Sequence, residues 1–93
     1  MEYTEQIIAK VEELAEALST IQEISDLLGL NGDVLRMDIS NEHSEVSIAY
    51  RRGKARTALK LRKNELDLAE AGSPMAIQYA HEYLMKMQDG EKL

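Results

Sequence analysis

Apolar residues recur along most of this chain at intervals of three and four, the period of helices that bury one face. From about Thr4 to Leu18 the set is Ile7, Ile8, Val11, Leu14, Ala15 and Leu18, opposite an acidic face carrying Glu12, Glu13 and Glu16. Thr20 and Glu23 have capping-box spacing, in which the hydroxyl accepts from a free helical amide and the carboxylate reaches back to the cap amide, so a second helix starts near Ile21. Ile24, Leu27 and Leu28 form its apolar face, and Ser25 is small enough for another helix to cross closely. Gly29 ends it in the left-handed conformation. Asn31 then caps a third, short helix whose Val34, Leu35 and Ile39 pack back on the second.

Residues 40–44 are polar and rich in cap residues, which predicts a short connection. A long helix follows from about Ser44 to about Ala71, where Gly72 stops it. Ser73 and Pro74 open a last helix to about Gln88, with Ala76, Ile77, Ala80, Tyr83, Leu84 and Met87 on one side. Gly90 to Leu93 are expected to fray. The long helix has two apolar sides: Val46, Tyr50, Gly53, Thr57, Leu61 and Leu68 on one, and Ile48, Ala55, Leu59 and Leu66 nearly opposite. Two such sides require two neighbours, so the second set is read as an oligomer interface.

The expected fold is all-α: a small helical bundle with a helix-turn-helix followed by a long helix and a closing C-terminal helix. Residues 1–40 hold the first helix and the candidate helix-turn-helix, and residues 41–93 form the assembly region, the whole reading as one compact unit. One Pro, no Phe or Trp, and abundant helix formers agree with this. At 93 residues the chain buries a modest share of its surface, and a partner adds stability. No Cys is present, which excludes disulfides and thiolate metal sites. No apolar run is long enough to span a bilayer and the acidic N-terminus does not resemble a signal peptide, so a soluble, cytoplasmic protein is expected.

The net charge of −6 conceals a basic block. Residues 1–50 carry two cations and eleven carboxylates, residues 51–63 seven cations and no carboxylate, and residues 64–93 two cations and six carboxylates. On the long helix Arg52, Arg56, Lys60 and Lys63 form a ridge. Cations in a row on a helix can follow a phosphate backbone, since each neutralised phosphate releases condensed counterions. The alternative is that the ridge pairs with Glu12, Glu13, Glu16, Glu23 and Asp26 inside the chain or across subunits. His43 and His81 are too far apart in sequence for a local ligand pair, and no metal site or cofactor is expected. With no phosphate loop, no catalytic triad context and no Cys nucleophile, an enzyme is not expected.

Four segments together resemble a family. These are Ile21-Gln-Glu-Ile-Ser-Asp-Leu-Leu-Gly-Leu, Val34-Leu35-Arg36, Ala49-Tyr50-Arg-Arg-Gly53-Lys-Ala55 and Ala71-Gly72-Ser-Pro-Met-Ala-Ile77. In that order they are similar to the helix-turn-helix proteins of phages and mobile elements, and among these to small terminase subunits. The resemblance implies DNA binding, ring or dimer assembly, and no catalysis by this subunit, with nuclease and motor activity residing in a partner. Carried over by position, Asn31, Asp33, Arg36 and Met37 face the groove, with Arg36 the base contact. The sequence departs from the family at Asp38, where an aromatic residue is common, and near Ser44, where a Pro often stands. A helical interaction module without a nucleic-acid role is the alternative function.

Overall fold

The computed structural model describes residues 2–91, which form five helices and no strand. They are α1 (Glu5–Glu16), α2 (Ile21–Leu28), α3 (Gly32–Ser40), α4 (Glu45–Glu70) and α5 (Pro74–Glu91). The protein is therefore all-α. It divides into two compact units, residues 1–57 and residues 58–93, with the division inside α4.

In the first unit each helix donates one fully buried aliphatic side chain to a common core. These are Val11 from α1, Ile24 from α2, Leu35 from α3 and Val46 from α4. Burying each of these contributes about 1.5–3 kcal/mol. Around them pack Tyr3, Ile7, Leu14, Leu28, Leu30 and Tyr50. The caps predicted at Thr20 and Asn31 form, and Thr4 adds one that was not predicted. Thr4 Oγ1 accepts from the Ile7 amide and Asn31 Oδ1 from the Val34 amide. The capping box closes through Thr20 N–H to Glu23 Oε1 at 2.8 Å and Glu23 N–H to Thr20 Oγ1 at 3.1 Å. Gly29 is left-handed (φ 69°).

Two close approaches set the helix packing. α2 and α3 meet where buried Ser25 faces Gly32, at which an added Cβ would lie 3.2 Å from the serine hydroxyl. α1 and α4 meet at Gly53, where an added Cβ would lie 2.2 Å from the Glu12 carbonyl oxygen and 2.9 Å from the Ala15 Cβ. α4 is unbroken through this glycine. Beside it, the Thr57 hydroxyl donates to the Glu16 carbonyl, one of the acceptors that the end of α1 leaves open. At the other end of this part of α4, Ser44 Oγ donates to Asp38 O at 2.7 Å and Ser47 Oγ to Ile39 O at 2.6 Å, which satisfies the end of α3.

Several apolar positions differ from expectation. Leu18 lies beyond α1 in the left-handed region (φ 62°) and is exposed, because the chain must turn there to begin α2. Leu27 is exposed, since Ile24 and Leu28 fill the space toward the core. In the second unit Gly72 (φ 93°) makes the turn, Ser73 Oγ accepts from the Ala76 amide, and Tyr83 O–H donates to Glu65 Oε2 at 2.8 Å. Only Ala76 is buried there among the described residues. Leu61, Leu68, Ile77, Leu84 and Met87, expected on inward stripes, are all exposed. α5 also continues to Glu91, three residues past its expected end; Lys92 and Leu93 lie outside the described residues.

Gly53, at the helix contact, and Leu18, with its left-handed backbone, have opposite expected responses. Gly53→Ala places a methyl group on the α1 backbone and should destabilise the protein by about 1–3 kcal/mol in urea unfolding, against the usual gain for Ala in a helix. Leu18→Gly should stabilise it by about 0.5–1 kcal/mol, since the left-handed conformation costs an L-residue more than it costs glycine.

Candidate nucleic-acid interface

The turn joining α2 to α3 is three residues long, Gly29-Leu30-Asn31, and both helix ends at the turn are capped. This is the connectivity of a helix-turn-helix, in which the second helix presents its outer side to a groove. Of the four residues expected to face that groove, Met37 is 71% exposed and the Asp33 side chain 94%. Arg36 Nη1 pairs with Asp33 Oδ1 at 3.3 Å, and Asn31 spends its side-chain oxygen on the cap. All four are exposed, and the Arg36–Asp33 pair is a surface contact of the kind worth about 0–1 kcal/mol. Across α2, the turn and α3 the charged side chains otherwise are Glu23, Asp26 and Asp38. Asp38 is held at 2.5 Å by the Tyr3 hydroxyl. Burial of Tyr3, with the hydrogen bond to Asp38 adding to it, pushes the phenol pKa well above its ordinary value. Residues ahead of Thr4 had no assigned role in the sequence. A lone aromatic just before a helix cap was the only signal.

The cationic ridge is not uniform. Arg52 and Arg56 reach across to α1, where Glu12 Oε1 accepts from Arg52 Nη1 at 3.5 Å and Glu12 Oε2 accepts from Arg56 Nη1. These two members of the expected phosphate set are therefore internally paired, because the crossing at Gly53 brings the middle of α1 within their reach. The hydrogen bond from Arg56 is the largest influence holding the Glu12 carboxyl below its usual range, and the same bond raises Arg56. Of the other carboxylates offered as ridge partners, Glu13 pairs with Lys10, Glu23 closes the capping box, Asp26 accepts from Gln22, and Glu16 adds electrostatic attraction at Arg56. Lys60 and Lys63 are exposed in the second unit. On the other flank, Arg51 donates to the Glu42 carbonyl at 2.5 Å and the Lys54 ammonium lies 5.1 Å from the Tyr50 ring centre.

The four positions read as an oligomer interface are all exposed, Ile48 and Ala55 in the first unit, Leu59 and Leu66 in the second. The second unit adds Met75, Tyr79 and Met85, which periodicity did not single out. Met75 and Tyr79 line one shallow hollow with Leu68 and Ala76, and Met85 is exposed on α5. Between α1 and α4 a groove of about 370 Å³ is walled by Glu5, Glu12, Glu13, Glu16, Glu45 and Arg56 over Ile8 and Ala9. Among the described residues no group of three or more His, Cys, Asp or Glu side chains is placed to hold a metal ion. Nor is any helix of the described residues long and apolar enough to cross a membrane.

The direction of the Glu12 shift fixes a pH dependence. A carboxyl that binds its proton less readily in the folded state stabilises the fold at pH above its unfolded pKa, and that contribution is lost as pH falls through the folded value. The difference in urea midpoint between the native protein and Glu12→Gln should thus be present at neutral pH and close on acidification below the ordinary glutamate range. A difference that is constant across that range would show that Glu12 acts by packing and not by charge.

No family model matches the chain, and neither a curated protein nor a solved structure matches it.

Proposed function

We propose that this chain is a DNA-binding helix-turn-helix protein of phage or mobile-element type, similar in role to a small terminase subunit. In this reading it recognises DNA without catalysing a reaction, and a separate nuclease or motor subunit acts on what it has bound. The observation that carries the reading is the α2–turn–α3 element, with its three-residue turn, two caps and close Ser25–Gly32 crossing. Such an element holds α3 rigidly with Arg36 and Met37 on its open side. Asp33 is a weak, exposed partner that a guanine edge or phosphate can replace, as the forked guanidinium accepts either.

Fluorescence anisotropy with labelled duplexes, titrated with salt, tests the proposal. Binding should weaken by a slope of about −0.9 in log–log form for each phosphate contacted. Arg36→Gln should cost about 1–3 kcal/mol on the preferred sequence and less on random duplex. A native protein that retains no duplex at low ionic strength would exclude this function.

A second reading, a homo-oligomeric helical interaction module without nucleic acid, is favoured by two observations. Arg52 and Arg56 are engaged by Glu12, and the surface of α2 and α3 is predominantly acidic. The exposed leucines and methionines of residues 58–91 would then serve subunit contacts. Leu59→Glu and Leu66→Glu should reduce the sedimenting mass while leaving helicity unchanged. An unaltered mass would remove that side of α4 as an association surface.

A further inference from the structure

Glu12 is placed where it cannot avoid the basic face of α4. The absent side chain at Gly53 brings α4 against the Glu12 carbonyl, and the Thr57 hydroxyl fastens the next turn of α1 at Glu16. Arg52 and Arg56 stand one turn apart on either side of Gly53, so each guanidinium meets a different oxygen of the same carboxylate. The carboxylate side chain is 22% exposed, whereas those of Arg52 and Arg56 are 58% and 47% exposed. A partner arriving from solvent therefore finds the guanidinium groups accessible while the carboxylate remains behind them.

From this geometry we infer that Glu12 is an internal competitor for phosphate, which occupies Arg52 and Arg56 in the free protein and yields them when a polyanion binds. The inference rests on the DNA-binding reading and adds a restraint on its affinity. Three physical features support it. The ion pairs are partly exposed, a class that contributes little to stability and is readily exchanged. Phosphate oxygens offer the same charge-assisted hydrogen bonds to a guanidinium that a carboxylate does. Glu16 adds further negative potential at Arg56, so the local field in the free protein favours the closed arrangement. Binding through these two arginines must then break an existing pair for each phosphate gained. The basic block would thus bind phosphates less tightly than its seven cations and no carboxylate suggest.

The competing possibility is that Glu12 holds the two side chains in a productive orientation, in which case its removal weakens binding. A set of variants separates these outcomes, with anisotropy of a short random-sequence duplex as the readout and circular dichroism as the check on folding. Glu12→Gln should tighten binding about three- to tenfold with the salt slope unchanged, since the same arginines meet phosphate in both complexes. Glu13→Gln removes the same charge one position away, from a carboxylate that pairs with Lys10, and should give a smaller gain with no change of slope. Glu12→Asp keeps the charge but draws it back by one methylene, and should fall between the native protein and Glu12→Gln. In a protein already carrying Arg52→Gln and Arg56→Gln, adding Glu12→Gln should give no more than the Glu13→Gln effect.

Equal gains from Glu12→Gln and Glu13→Gln would reduce the effect to net charge and overturn the inference while leaving DNA binding intact. Weaker binding by Glu12→Gln would overturn it in favour of the orienting role. Absence of duplex binding by every folded variant at low salt would reject the DNA reading itself, and this inference with it.

Discussion

The approach of α4 to α1 at Gly53 is the constraint on which the first unit depends. A side chain of any size there would meet the backbone of α1, so the two helices lie as close as their main chains allow, with Ala15 and Ala49 buried alongside. That closeness lets a small core centred on Val11, Ile24, Leu35 and Val46 hold four helical segments. It also places a carboxylate of α1 opposite two guanidinium groups of α4. Packing and electrostatics at this crossing have a single geometric origin.

The same crossing shows why net charge along a sequence is a poor guide to the charge available to a partner. The basic block of residues 51–63 is real, but its first turns are read by α1 before they are read by solvent. Glu12 contacts both arginines, whereas Glu13 points along its own helix to Lys10 and Glu23 is committed to the capping box. On the DNA-binding reading proposed above, competition between an internal carboxylate and an external phosphate sets how strongly the block attracts DNA. Neither partner of such an exposed pair is held tightly, which is what makes the competition adjustable.

The second unit poses the opposite physical situation. Its two helical segments bury one alanine, while leucine, isoleucine and methionine side chains remain exposed on both α4 and α5. A hairpin with so little interior gains little from hydrophobic burial by itself. Its turn is nonetheless well specified, by Gly72 in the left-handed conformation and by the Ser73 cap. Local signals and burial are thus uncoupled here: the chain encodes where the helices start and stop without supplying a core between them.

Local interactions were legible in the sequence because they depend on residues three or four apart. The Thr20–Glu23 box, the Gly29 and Gly72 turns, the Asn31 and Ser73 caps and the all-α class all follow from such spacings. Periodicity identified the buried positions Val11, Ala15, Ile24, Leu35 and Val46, but it also assigned Leu18, Leu27, Leu61 and Leu68 inward, since amphipathicity says which residues share a face and not whether a neighbour covers it. Only the tertiary structure showed that Arg52 and Arg56 of the ridge are paired with Glu12. Contacts such as Glu12 with Arg56, 44 residues apart, and Tyr3 with Asp38, 35 apart, depend on how helices cross. That crossing angle and depth are set by shape at Gly53 and Ser25, where the absence of side-chain volume counts for more than any residue's own propensity.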